Sequence, residues 1–282
     1  MNKAHDSFMT DRELPTDPSF HQVDSLLRVF TGGFSAAQIA EPLRSFEAST
    51  PAREIADLMR QRGLGVVGLR HEGLVTCFFE IPEEPEGACS DHHRPFDDAL
   101  VLPDSAPLDE VIQALDREPR VFVRGFWQIA GVITRYDLQK APVRMWLFGM
   151  LTLIEMRMTG QIEEFYPGES WSEYLSSARM EGARQLLAER QRRNQDLKVL
   201  DCLQFSDKAQ IFARSKELRA TTRFTSRKQL ERVAKLLQRL RNNLAHSQDI
   251  ITTDWEAIVD LSTNMRQILS PPVRNRPGDD EK

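Results

Sequence analysis

Apolar positions change their rhythm near residue 142. Before it they come in short runs separated by turn residues, and after it they recur at helical spacing. The first half repeats one pattern. A short helix is predicted over His21 to Phe30. Thr50-Pro51 then opens a second helix, with Thr50 as N-cap and Pro51 at the first helical position. Ile55, Leu58 and Met59 form its apolar face, and Gly63 ends it. Two strands follow, Val66 to Leu69 and Leu74 to Phe79, joined by His71-Glu72-Gly73. One unit later the pattern returns: a helix over Leu108 to Leu115, then strands over Val121 to Arg124 and Gln128 to Thr134. An acidic, proline-rich loop, Pro82 to Asp98, separates the units.

From Val143 onward the strand signals stop. Helices are predicted over Val143 to Glu164, from about Trp171 into a charged stretch with a break near Asn194, and over Leu197 to Phe212. Leu230, Val233, Leu237, Leu240 and Leu244 stripe a further helix from Ser226 to His246. Ser226 with Gln229, and Thr253 with Glu256, read as capping boxes, the second opening a last helix to Leu269. The fold class is therefore an α/β pair followed by an all-α bundle. The expected division is a loose tail over 1–20, a regulatory domain over 21–142, a helical domain over 143–270 and a disordered tail over 271–282.

Composition sharpens this picture in two places. Hydrophobic residues make up 40% of the 282 and charged residues 28%, a globular balance. The net charge of -5 is unevenly spread. Residues 1–142 carry 14 Lys+Arg against 23 Asp+Glu, whereas residues 179–245 carry 17 against 7. A helical block that basic points to a polyanion partner, or else to solvated helix faces. The most apolar run, Met145 to Met156, is too short to span a bilayer and contains Glu155. Cys77, Cys89 and Cys202 are too few and too dispersed for a zinc site or a disulfide framework. With no signal peptide in the first residues, a cytoplasmic protein without membrane contact is expected.

The second unit closes with Gly131-Val132-Ile133-Thr134-Arg135-Tyr136-Asp137-Leu138. This resembles the signature of CBS domains, which come in tandem pairs of this size, and the resemblance covers roughly residues 35–142. It implies an adenine nucleotide (ATP, ADP or AMP) as regulatory ligand, with Thr134 on a phosphate or ribose and Asp137 on the ribose hydroxyls. A carboxylate can accept two hydrogen bonds from a diol. In the first unit Gly73-Leu74-Val75-Thr76 offers a matching glycine and threonine, but Phe79 stands where the aspartate belongs. Thr76 is thus a weaker candidate, and a dimerisation scaffold without ligand is the alternative.

Arg241-Asn242-Asn243-Leu244-Ala245-His246 ends the apolar-striped helix. It resembles the R-x4-H motif of HEPN domains. That resemblance implies a metal-independent endoribonuclease in which two copies of the helix meet across a homodimer and share two Arg and two His. Imidazole titrates in the right range to move the proton of a 2′-hydroxyl or of the leaving oxygen. A guanidinium fork suits the charge that builds on the phosphorane. Asn242, four residues before His246, shares its helix face and could orient the ring. Arg241 stands five residues before His246, about 140° round an ideal helix, so one straight helix aims the pair poorly.

Two functions remain open at this point. The first is a nucleotide-gated endoribonuclease acting on RNA, in stress response or phage defence. The second is a non-catalytic sensor whose helical half binds a protein or RNA. Glu155 could face Arg241 or solvent. Asp91-His92-His93 has the composition of a metal site without its spacing and reads as a solvent loop. Trp127, Trp146, Trp171 and Trp255 read as packing residues, and no metal is expected.

Overall fold

A computed structural model describes residues 18–224 and 226–269. The tail expectations for 1–17 and 270–282 lie outside those residues. The first helix, α1 (Pro18–Gly33), starts three residues before the expected one. Then follow β1 (Glu41–Pro42), β2 (Ser45–Glu47), α2 (Ala52–Arg62), β3 (Val67–His71) and β4 (Leu74–Phe79). After the acidic loop come β5 (Arg94–Pro95), β6 (Val101–Pro103), α3 (Leu108–Arg117), β7 (Arg120–Gly125) and β8 (Gln128–Thr134). In α2, Ile55, Ala56 and Met59 are buried, and Gly63 closes the helix at φ +63°. Thr50 is not its cap: Pro51 occupies that position, and the Thr50 amide instead closes a turn on the Glu47 carbonyl at 3.0 Å.

The two units match pair for pair. In each, a strand lies parallel to the first arm of a hairpin: β2 on β3, and β6 on β7. The hairpins share their register, with Leu69 opposite Cys77 and Val123 opposite Gly131, each next to an irregularity one residue on. The sheets run β2-β3-β4-β5 and β1-β8-β7-β6. Each unit therefore lends a strand to the other. The segment before the first unit supplies β1 to the second sheet, and the segment before the second unit supplies β5 to the first. Leu43, Val66, Phe78, Phe122 and Ile129 form a core from both units, with the Phe78 and Phe122 rings 4.9 Å apart.

This register corrects the alignment of the repeats. It places Cys77 at the level of Gly131, Ala130 at the level of Thr76 and Glu80 at the level of Thr134. Matching Gly73 to Gly131 slides the first unit along its own hairpin. Gly73 belongs to the turn, at φ +82°, where Glu72 also has φ +51°.

The helical half is α4 (Ala141–Phe165), α5 (Ser177–Gln191), α6 (Phe205–Arg214), α7 (Lys216–Ala220), α8 (Arg227–Ala245) and α9 (Ile251–Leu269). A 3-10 turn over Ser170–Tyr174 precedes α5, another over Val199–Cys202 precedes α6, and Asn194 has φ +58° after α5 ends. Helix α4 is apolar nearly all round because it is the central helix, packed against α1, α6, α8 and α9. Ser226 caps α8 by accepting the Gln229 amide at 3.2 Å. The Thr253–Glu256 box does not form. Asp249 accepts the amides of Ile251 and Thr252 instead, and α9 is kinked at Asp254.

The principal core ignores the change of class at residue 142. It joins Val23 of α1, Leu108 to Leu115 of α3, Trp146 and Met150 of α4, Leu240 of α8 and Leu261 of α9. A second core around Trp171, Phe212 and Leu218 fills the far end of the helices.

Candidate functional site

At the end of β8, the chain enters a 3-10 turn over Arg135–Gln139. Asp137 is buried and ties the turn together. Its Oδ2 accepts the Thr134 amide at 2.7 Å and the Thr134 hydroxyl at 2.9 Å, and its Oδ1 lies 2.8 Å from Lys140 Nζ. Lys140 also donates to the Ile39 carbonyl at 2.6 Å and to Glu41. Burial by itself would lower the Lys140 pKa, but its bonds to Asp137 and Glu41 prevail and raise it. An open groove of about 510 Å³ beside this turn is lined by Arg117, Glu118, Pro119, Thr134, Arg135 and Tyr136. Thr134 thus faces the groove, whereas Asp137 is behind it with both oxygens engaged. Arg135 donates to the Leu115 carbonyl at 2.9 Å and stacks over the Trp255 ring at 4.3 Å.

Thr76 is exposed in mid-β4 and is not among the groove residues. The first-unit counterpart of Thr134, Glu80, pairs with both Arg94 and Arg120. An ion-paired carboxylate there leaves no free hydroxyl for a ligand.

Arg241, Asn242 and His246 stand at the C-terminal end of α8 and point different ways. Arg241 Nη2 is 3.6 Å from Glu155 Oε2, and Glu155 Oε1 accepts from Lys208 Nζ at 3.1 Å. Lys208 is 5% exposed, Glu155 22% and Arg241 40%, so the arginine reaches inward to a carboxylate of α4 without being sealed from solvent. Asn242 Oδ1 accepts from Gln238 rather than meeting the imidazole. His246 is exposed just past the helix, where Ser247 turns the chain at φ +54°. Within one chain, Arg241 and His246 do not form one cleft.

The two motifs are joined by groups that sequence reasoning did not select. Arg144 on α4 donates to the carbonyls of Asn243 (3.1 Å), Leu244 (3.2 Å) and Gln248 (3.0 Å), satisfying the open end of α8. It also donates to Gln139 Oε1 at 3.2 Å, and Gln139 Nε2 donates to Asp249. The Thr252 hydroxyl and the amides of Ile251 and Thr252 hold the Asp249 carboxyl below its ordinary range. Buried Asp254 accepts from Arg239 and Asn243, each at 2.7 Å. A cation placed near a helix C-terminus is the only advance signal Arg144 could have given, and it acts from another helix.

The weaker candidates resolve simply. Asp91, His92 and His93 bond the backbone of their own loop, at Ala88, Glu86 and Ser90. Among the described residues no group of three or more His, Cys, Asp or Glu side chains could hold a metal. Among them, too, no helix is long and apolar enough to cross a membrane. Trp146 and Trp171 are buried, and Trp255 bonds Asp116 and Arg135. Trp127 is not a packing residue. With Phe126 it forms the tip of the β7–β8 hairpin, both at positive φ and both more than 90% exposed, since no element covers the turn.

No family model matches the chain, and no curated protein matches its sequence. Among solved structures, an uncharacterised conserved protein from Pyrococcus horikoshii is similar at 19% identity, covering 37% of this chain and 88% of that one, with a TM-score of 0.33. The CBS domain of a bacterial CNNM/CorC family Mg2+ transporter, in its complex with ATP, is 14% identical over 45% of this chain and 97% of its own, with a TM-score of 0.34. A hexameric CBS-CP12 protein from bloom-forming cyanobacteria is 13% identical over 75% of this chain and 98% of its own, with a TM-score of 0.32. Global superposition is weak in all three.

Proposed function

We propose that this protein is a nucleotide-responsive endoribonuclease. The CBS-like pair binds an adenine nucleotide in the groove at Thr134, and the HEPN-like helical half cleaves RNA without a metal. Arg241 and His246 from two copies complete the active site. His246 removes the proton of a 2′-hydroxyl, which attacks the adjacent phosphorus, and the 5′-oxygen leaves as a hydroxyl on taking a proton from water. Arg241 stabilises the charge on the phosphorane. The observation that carries this reading is the 3-10 turn after β8, where Asp137 holds Thr134 and Gln139, two residues on in the same turn, bonds Asp249 and Arg144, the latter reaching the carbonyls of α8. A ligand that shifts the turn at Thr134 would move Gln139 through the backbone, and Gln139 bonds Asp249 in the loop that follows His246.

The second reading, a sensor without catalysis, is favoured by the divergence of the motif: Arg241 reaches toward Glu155 while His246 is exposed beyond the helix. One experiment separates the two. Purified protein is incubated with total RNA in EDTA, with and without ATP, ADP or AMP. Cleavage leaving 2′,3′-cyclic phosphate ends is expected, and His246→Ala should lower its rate by about 10²–10⁴. Arg241→Ala should be severe and Arg241→Lys only a partial remedy, because a point charge does not replace the fork. If wild type binds nucleotide but leaves RNA intact under every condition, the sensor reading stands. Cleavage that survives both alanine variants, or that requires magnesium, overturns the active site proposed here.

A further inference from the structure

Leu230, Leu237, Leu240 and Leu244 bury one side of α8. Along the other side Lys228, Arg232, Lys235, Arg239, Asn242 and His246 are all exposed. Successive members are four or three residues apart, the spacing of one continuous line on a helix. From Lys228 to His246 this line is about 27 Å long at 1.5 Å per residue. It holds four cations and no carboxylate, and it leads to the imidazole rather than to Arg241.

Two of the four charges on this row are free of carboxylates. Among the described residues Lys228 and Lys235 make no ion pair. Arg232 pairs with Glu256, but both side chains are mostly exposed, and such pairs contribute little in water. Arg239 is held by Asp254 at its Nε and by the Thr253 carbonyl at its Nη2, with its side chain half exposed. The nature of the occupant follows from what the row lacks. It has no apolar residue, so it offers neither the apolar centre of a protein interface nor the hydrophobic face a helix needs to enter a bilayer. It has what a polyphosphate backbone requires, cations in a line. A single line of side chains, flanked by Asp254 and Glu256 of α9, matches one strand rather than a duplex groove.

We propose that this row is a track for the backbone of single-stranded RNA, laid along α8 and ending at His246. The inference deepens the ribonuclease reading by giving its substrate a path, and the two can fail separately. The test measures binding of a labelled single-stranded oligoribonucleotide to the full-length protein across a salt series, by fluorescence anisotropy, with circular dichroism as the check on folding. Neutralising two phosphate contacts in Lys228→Ala/Lys235→Ala should reduce the slope of log K against log salt by about 1.4. The loss should be similar for unrelated sequences, and Lys228→Arg/Lys235→Arg should restore the slope. His246→Ala should retain binding while losing cleavage. Binding that follows the lysines without any cleavage by wild type sinks the nuclease and keeps the track. An unchanged slope and affinity in the alanine pair overturn the track. So does stronger binding of duplex RNA, of an acidic peptide such as polyglutamate, or of vesicles rich in phosphatidylserine.

Discussion

Glu155 is a carboxylate on the most apolar helix of the chain, and two cations explain it. Lys208 is almost sealed from solvent and has its charge answered by Glu155 at 3.1 Å, while Arg241 approaches the other oxygen. Removing one partner of such a pair leaves the other charge stranded. Because solvent reaches Glu155 and Arg241, the cost should fall below that of a sealed pair. Glu155→Ala is expected to lower stability by about 1.5–3 kcal/mol in urea unfolding. Lys208→Met in the same chain should recover much of it, and an additive double variant would refute the pairing. Asp137 has a different balance. Both of its oxygens hold the turn, so meeting a ribose in the groove requires Oδ1 to exchange Lys140 for the ligand. Asp137→Ala should weaken adenine-nucleotide binding by about 1.5–3 kcal/mol. It should also cost about 0.5–2 kcal/mol of stability through loss of the cap. Asp137→Asn keeps the neutral acceptor at Thr134 and should retain most of the stability but not the binding. Calorimetry that finds wild type and Asp137→Ala binding alike would take Asp137 out of the site.

At the scale of elements, the close approach of α1 to α4 depends on one missing methyl group. A Cβ on Gly149 would lie 2.1 Å from Phe30 Cε1 and 2.4 Å from Cζ. Gly149→Ala would improve helix propensity in a free helix. Here it should instead destabilise by about 1–3 kcal/mol, because the Phe30 ring must leave its place. Phe30→Leu added to Gly149→Ala should recover part of the loss in thermal unfolding. If Gly149→Ala raised the melting temperature, α1 would not be seated on α4 as described.

The whole molecule is organised by exchange. Each α/β unit completes the other's sheet, and the principal core runs from α1 and α3 into α4, α8 and α9. Contacts between α3 and α9 are as much a part of that core as contacts within the helical half. Elements that share one core unfold together. Scanning calorimetry of the full chain is expected to show one cooperative transition with calorimetric and van't Hoff enthalpies in agreement. Two separated transitions would show that the halves are stable independently. In the proposed function, a nucleotide at Thr134 and an RNA strand at His246 would therefore act on parts of one packed body.

Much of the architecture was legible in the chain because it depends on local periodicity. The strands Leu74–Phe79 and Gln128–Thr134, the amphipathic α8 and its Ser226 cap follow from alternation, from leucine spacing and from one side chain reaching its own helix start. Local bonding does not decide between competing caps. Thr50 and Thr253 have the right residue type, but Pro51 and Asp249 hold the positions. Nor does motif spacing fix the register of a repeat. A glycine four residues from its structural counterpart aligned Thr76 with Thr134, and only the pairing of Leu69 with Cys77 and Val123 with Gly131 shows the slip. The residue types of the Arg241–His246 motif, and their angular separation, are properties of the sequence. That Arg241 turns inward to Glu155 and Lys208, and that Arg144 from α4 holds the carbonyls at the end of α8, was decided by packing between helices far apart in the chain. Periodicity records which face of an element avoids water. Which distant charge meets that face is fixed only when the faces are brought together, because the energy of burying an ion depends on the partner it finds there.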